Sequence, residues 1–452
     1  MTSVPENREI FKTLDLSLRI GEVLLSSGAG AADVTATMLA IAHGLGLRGV
    51  DVDVTFTALS MSYQASFDEP ALIQVRNVRH RDIDYEDLTE VDHIIRDVLR
   101  GDIDRDEARS RLAQIISSGH RLPRWAVTLG WGVTGAGVGL LLGGDLIVTG
   151  IAFAAACGIE LLRRTMSRRR LPSFYQQVAG GLLATLLAVL TAATDIPVDP
   201  SLVVTASIIM LLAGIGFMGA IQDALTGFYI TSGARLLEAL LATAGIIAGV
   251  SGGLTVGGML GVPLGLDPGA AGLSDLPLMT FGAGLCAAAF AFASYAPFRA
   301  LLPIAAIGAF GVVIFSALET QGAGRAWASA SAAFMIGVVS YAVAGRVRVP
   351  PLVVVVPGIV PLLPGLSIYR GLTLMAVADG TSASAEGILA LATAAAIAIA
   401  LASGVILGEY VAQPLKREAR RLEGRLSGPR LVGPVRARAA SRERARRPAA
   451  SG

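Results

Sequence analysis

Leu211-Leu212-Ala213-Gly214 and Leu362-Leu363-Pro364-Gly365 interrupt two long apolar stretches in the same way, 151 residues apart. The first interruption opens into a glycine-punctuated run, Gly214, Gly216 and Gly219, that ends at Asp223. The second is preceded by Pro357 and Pro361 and followed by Tyr369-Arg370. Glycine and proline inside an apolar span free backbone N–H and C=O groups. Such groups are tolerated at membrane depth only where protein or a water-filled cavity satisfies them. Matched broken spans in two halves of a membrane domain mark the binding site of many transporters. Solute transport is therefore the leading reading.

A bilayer span takes about 20 apolar residues. Ten candidates lie outward from the two breaks, at 125–143, 146–162, 174–193, 202–222, 234–253, 277–295, 298–318, 325–344, 350–377 and 386–410. A shift of about 150 residues carries each of the first five onto one of the second five, and an odd-numbered unit must re-enter the membrane upside down. The expected fold is therefore a soluble α+β domain at 1–124, followed by an all-α polytopic membrane domain. Its ten transmembrane helices form two five-helix inverted repeats, 125–270 and 271–411, and a basic tail follows at 412–452.

Composition supports a membrane protein: 53% of the 452 residues are hydrophobic, only 16% are charged, and mean hydropathy is +0.63. The near-neutral total hides a strong asymmetry. Residues 1–124 carry 14 Lys/Arg against 20 Asp/Glu, a net −6, whereas 412–452 carry 12 against 3, a net +9. No secretory signal opens the chain, so 1–124 is expected to stay on the side of synthesis. Arg163, Arg164, Arg168, Arg169 and Arg170 then fall in an inside loop, while the outside loops 194–201 and 254–276 lack Lys and Arg. Arg325 is the exception. The expected location is a bacterial inner membrane with both termini cytoplasmic. The Arg/Ala/Pro-rich tail reads as disordered and attracted to anionic lipid headgroups.

Within 1–124, helical periodicity covers 11–26, 31–46, 85–100 and 104–118, with Asp104 as N-cap of the last. Val50, Val52, Val54, Phe56 and Ala58 alternate with polar residues, which predicts a half-buried strand, and 59–65 and 71–77 read as its partners.

Several chemistries are missing. Lys12 and Lys416 are the only lysines and neither follows a glycine-rich phosphate loop, which excludes ATP hydrolysis by this chain. The four histidines all lie before residue 124, with no metal-ligand spacing. Gly249-Val250-Ser251-Gly252 has the form of a serine nucleophile motif, but no membrane histidine is present to activate it, so helix packing is the better reading. Cys157 and Cys286 read as small core residues. The basic run at 76–81 reads as a solvated face rather than a nucleic-acid patch. No enzyme, cofactor or metal is expected, and self-association is left open.

Ionisable groups near broken spans take a functional default because burying them is costly. The expected substrate site comprises Gly214, Gly216, Gly219, Asp223, Arg235, Pro361, Pro364, Gly365, Tyr369 and Arg370. Asp223 and Glu238 are the expected proton-coupling acids, and Arg235 and Glu238, three apart on one helix, are spaced to pair. Glu160, Glu319 and Glu409 read as interfacial.

These residues carry a resemblance. Arg19-Ile20-Gly21-Glu22-Val23-Leu24-Leu25-Ser26-Ser27-Gly28-Ala29-Gly30 resembles the opening signature of the cytoplasmic domain of the threonine/serine exporters. Leu211 through Asp223, Gly227, Gly233 and Arg235 to Glu238 is similar to that family's first membrane half. Pro350-Pro351 through Pro357-Gly358-Ile359-Val360-Pro361-Leu362-Leu363-Pro364-Gly365 is similar to its second. This chain departs from the pattern at Asp33-Val34-Thr35 and at Ala213-Gly214. The resemblance, over roughly residues 10–412, implies export of small hydroxy amino acids driven by the proton motive force. Some two-polypeptide relatives are associated with dicarboxylates, which makes a dicarboxylate exporter the rival. Converging cationic groups would favour it, and a charge-balanced site would favour amino acids. A membrane-anchored sensor or tether ranks lower, since an anchor needs far fewer spans.

Overall fold

A computed structural model of the chain describes residues 4–66, 68–78, 82–194, 200–208, 211, 214–262, 275–364, 367–368, 370–371, 374 and 381–426. It begins with two helices, α1 (Val4–Ser26) and α2 (Ala31–Gly44), then three strands, β1 (Val50–Thr55), β2 (Ala58–Tyr63) and β3 (Leu72–Asn77). The strands form one antiparallel sheet in sequence order. Two helices close this region, α3 (Tyr85–Arg100) and α4 (Arg105–Ser118). The expected elements and their order are present. Asp84 and Asp104 cap α3 and α4 by accepting from the backbone N–H groups of Asp87 and Glu107. The long strand expected over 50–58 instead folds back at Phe56, whose φ of 50° makes the turn into β2.

Eleven further helices follow among the described residues: α5 (Arg124–Leu141), α6 (Leu146–Arg168), α7 (Ser173–Ala192), α8 (Pro200–Ile208), α9 (Gly214–Leu225), α10 (Tyr229–Met259), α11 (Leu276–Ala293), α12 (Phe298–Thr320), α13 (Arg325–Val347), α14 (Leu352–Ile359) and α15 (Thr381–Leu426). Seven are long and apolar enough to cross a membrane: α6, α7, α10, α11, α12, α13 and the 385–412 part of α15. This corrects the expected architecture of ten spans in two five-helix inverted repeats. Three expected spans do not qualify. The 125–143 segment is helical, but Arg124 and repeated glycines dilute its hydropathy. The 202–222 segment is two short helices, α8 and α9. Among the described residues of 350–377 are α14, a 3₁₀ turn, Val360–Leu362, and further helical residues at 367–368, 370–371 and 374. At 9, 12 and 8 residues, α8, α9 and α14 each fall well below the length of a bilayer span.

Close glycine packing joins the long helices. A methyl placed on Gly249 of α10 would lie 2.1 Å from Val178 O of α7, and one on Gly404 of α15 would lie 2.4 Å from Ala330 O of α13. Gly249 thus serves helix approach, as expected of the Gly249–Gly252 motif. The largest apolar core runs without interruption from Leu14, Met38 and Leu59 of the N-terminal region to Met218, Ile304 and Leu401. The N-terminal layer is packed onto the helices rather than tethered to them.

Candidate functional site

The site begins at the end of α1. Gly28, at φ +95°, takes the left-handed conformation that terminates the helix, with Ala29 N–H donating to Leu24 O. Gly30 then starts α2 as its N-cap without a side-chain capping bond. The missing cap comes from 192 residues away: Asp223 Oδ1 accepts from Ala31 N–H at 2.9 Å. The positive end of α2 thereby faces a carboxylate. Asp223 is fully buried at the end of α9, and its Oδ2 lies 2.7 Å from Arg235 Nη1 of α10. Arg235, also buried, donates from Nη2 to Ala29 O at 3.3 Å. The ion pair therefore clamps the loop Gly28-Ala29-Gly30 from both ends. Nearby, Phe56 N–H donates to Thr231 Oγ1, which itself donates to Val54 O, so the β1–β2 turn seats on the first turn of α10.

The two breaks also meet. A methyl on Gly214 would lie 3.1 Å from Leu363 Cβ, so the start of α9 abuts the residue that follows the 3₁₀ turn. Pro364 is buried and Pro361 half-buried beside it, while Gly216 faces outward. A methyl on Gly219 would lie 3.5 Å from Arg235 Nη1, which leaves the guanidinium room against α9. Of the expected site residues, the structure gathers Gly219, Asp223 and Arg235 into one cluster, and Gly214 with the Pro361–Pro364 turn into another. Arg370 is exposed. Gly365 and Tyr369 lie outside the described residues. Arg235 spends its charge on Asp223, and Glu238 lies exposed one turn on.

Sequence reasoning missed the N-terminal contribution to this site. Asp33, on the first turn of α2, lies against the same cluster, and burial, then the Asp223 carboxylate, pushes its carboxyl above the usual range. Glu409 of α15, read as interfacial, is close enough to Asp33 for their charges to interact. The signal was present: the Ser27–Gly30 signature ends at the cluster, and Asp33 is one of the departures from the family pattern.

A cavity of about 550 Å³ opens between the N-terminal region and α5–α7, reaching Leu211 at the first break. Its walls include Arg124, Arg163, Arg164, Arg168, Gln177 and His120. Glu160, buried within α6, holds Arg163 at 2.9 Å and pairs with Arg164. At the rim, His120 pairs with Asp84 at 3.3 Å and stacks on Tyr295 with ring centroids 3.9 Å apart. Ligand atoms of Asp84, Asp87 and His120 lie within 4.8 Å of one another, a grouping that spacing along the sequence did not reveal. Asp84 already caps α3 there.

Comparison with known proteins identifies a family and several relatives. Residues 15–257 match a family model described as "Putative threonine/serine exporter", and residues 279–411 match one described as "Threonine/Serine exporter, ThrE". The chain is 35% identical over 437 residues to a "Probable threonine/serine exporter" of Mycobacterium tuberculosis, covering 94% of this chain and 82% of that protein. It is 33% identical over 422 residues to a "Threonine/serine exporter" of Corynebacterium glutamicum, covering 92% and 85%. A more distant likeness, 26% over 247 residues, joins 54% of this chain to 95% of a "Probable succinate transporter subunit YjjP" of Escherichia coli. No solved structure matches the chain.

Proposed function

This chain belongs to the threonine/serine exporter family, and on that premise we propose that it exports threonine and serine across the bacterial inner membrane, driven by inward proton flow. The observation that carries the reading is the charge balance around the buried Asp223. One guanidinium, Arg235, pairs with Asp223, and two further carboxylates, Asp33 beside Asp223 and Glu409 within reach of Asp33, add negative charge. Such a site suits a substrate bearing an ammonium and disfavours a dianion, which would meet repulsion from every acid present. The succinate-type reading has only the more distant relatives behind it. A family of exporters with no phosphate-binding loop in this chain supports transport by an ion gradient rather than by ATP hydrolysis.

In this reading the segment 1–124 is a cytoplasmic domain that takes part in transport, because its signature loop is held by the ion pair between α9 and α10. The segments 125–270 and 271–411 are the two membrane portions, and 412–452 is a cytoplasmic tail. Everted membrane vesicles supplied with labelled threonine, serine and succinate test the substrate. Threonine and serine uptake that collapses with an uncoupler at constant ATP is the expected result. Succinate-selective uptake, or threonine uptake that follows ATP and ignores the gradient, would overturn the reading. A single cysteine at Ser167, in a chain with Cys157 and Cys286 replaced by alanine, should be shielded from an impermeant thiol reagent in intact cells.

A further inference from the structure

The cavity between the N-terminal region and α5–α7 lacks both a hydrogen-bond donor and an anion. Gln177, near the start of α7, lines it, and its Oε1 is buried without a hydrogen-bond partner among the described residues. A buried acceptor left unpaired is costly, so a donor is wanted there. Rotation about the last side-chain torsion, which is broad and roughly two-fold, turns either end of the amide toward the cavity. The stem is held by α10, since a methyl on Gly245 would lie 3.1 Å from Gln177 Cβ. The missing anion follows from the arginines. Glu160 neutralises Arg163 and Arg164. The exposed guanidinium groups of Arg124 and Arg168, on the same walls, have no hydrogen bond or ion pair among the described residues. Asp82, also in the lining, keeps 83% of its side chain exposed and lies 3.8 Å from Arg163. A volume of about 550 Å³ falls within the range of about 300–1,000 Å³ typical of small-molecule sites. Leu211 of the first break is part of the wall and is seated on α7, where a methyl on Gly180 would lie 2.9 Å from Leu211 Cδ1.

We propose that this cavity is the cytoplasmic entry site for the exported amino acid, and that Gln177 is the residue that reads the substrate hydroxyl. This rests on the threonine/serine export reading above. The substrate carboxylate meets Arg124 and Arg168, its ammonium meets Asp82, and its side-chain O–H donates to Gln177 Oε1. A succinate dianion satisfies the arginines but brings no donor to Gln177 and meets Asp82 as a like charge. Threonine with hydrogen in place of its hydroxyl, 2-aminobutyrate, keeps both charged contacts and leaves Gln177 unpaired. A site built to hydrogen-bond a hydroxyl rejects the analogue lacking it far more strongly than an apolar pocket rejects a missing methylene. Selection for the hydroxyl then takes place on the cytoplasmic side, before the substrate passes the break at Leu211.

Two measurements on the full chain in detergent test this. In calorimetric titrations the wild-type protein should prefer threonine to 2-aminobutyrate by about tenfold or more, the worth of one well-made hydrogen bond. Gln177→Met should erase that preference by weakening threonine alone, and Gln177→Glu, which keeps an acceptor, should retain it. Arg124→Gln combined with Arg168→Gln should weaken both amino acids alike, because both carry the carboxylate. The second measurement leaves the binding residues untouched. With Cys157 and Cys286 replaced by alanine and a single cysteine at Ser167 on the cavity wall, threonine should slow labelling by a thiol reagent. The analogue should do so only at higher concentration. Equal wild-type affinities for the two amino acids, or labelling of Ser167→Cys that threonine leaves unchanged, would overturn the assignment. So would a Gln177→Met protein that loses both ligands equally, which would mark Gln177 as structural. A wild-type protein that binds succinate in preference to threonine would instead remove the export reading itself.

Discussion

Breaking the Asp223–Arg235 pair should damage the protein unequally from its two sides. The side chains are 1% and 9% exposed, so neither charge can turn to water when its partner is lost. Removing one member of a buried pair costs about 3–5 kcal/mol, a substantial share of a typical total stability of about 5–15 kcal/mol. Asp223→Asn keeps the shape and can still accept from Ala31 N–H, and Arg235 keeps its bond to Ala29 O. Its cost should sit at the lower end. Arg235→Met leaves Asp223 buried beside another carboxylate without its counter-charge, and also removes the bond to Ala29 O, so its cost should sit at the upper end. The double variant should be less destabilised than the sum of the singles by about 1–3 kcal/mol, the coupling of a contacting pair. A double-mutant cycle on the purified full chain, read by thermal unfolding in detergent, measures all four corners. Threonine efflux should fall with each single change, because the clamped Gly28–Gly30 loop loses an anchor. Single variants within about 0.5 kcal/mol of wild type, the range of an ordinary surface change, or strictly additive effects, would refute the reasoning.

Gly214→Leu should abolish export, since even its Cβ would stand 3.1 Å from Leu363 Cβ, whereas Gly216→Leu, which faces outward with Ala239 Cβ 3.9 Å away, should be milder; efflux assays at matched expression compare them. Gly249→Leu should prevent stable assembly of α7 with α10, because its Cβ would lie 2.1 Å from a backbone carbonyl; loss of protein from the membrane fraction is the readout. Burial first, and the Asp84 carboxylate second, push the Asp87 carboxyl from 3.8 up to about 6. A raised carboxyl contributes stability below its unfolded value that is lost as pH rises through its folded one. Hydrogen-exchange protection in α3, corrected for the intrinsic pH dependence of exchange, should therefore be greater at pH 5 than at pH 7, and Asp87→Asn should flatten that difference.

Local patterns in the sequence were enough to place the N-terminal elements. Period-two alternation at Val50–Val54, the helical spacing of Val34, Met38 and Ile41, and the capping aspartates before α3 and α4 act over a few residues. Burial in the folded chain agrees with them. The breaks at Gly214 and around Pro361–Pro364 were legible for the same reason, since glycine and proline act on their own backbone. Counting spans was not, because an apolar run measures burial and says nothing about whether one continuous helix fills it. The described residues of 202–222 fall in two short helices, and those of 350–377 include a short helix, a 3₁₀ turn and helical residues at 367–368, 370–371 and 374. Asp223 and Arg235 were found as ionisable residues near a break, but their partners were not. Only the tertiary structure brings Ala31 N–H, Ala29 O and Asp33 to them from the far end of the chain. A buried charge takes whichever donor or counter-charge the fold delivers, and that choice depends on distance in space, which residue order does not record.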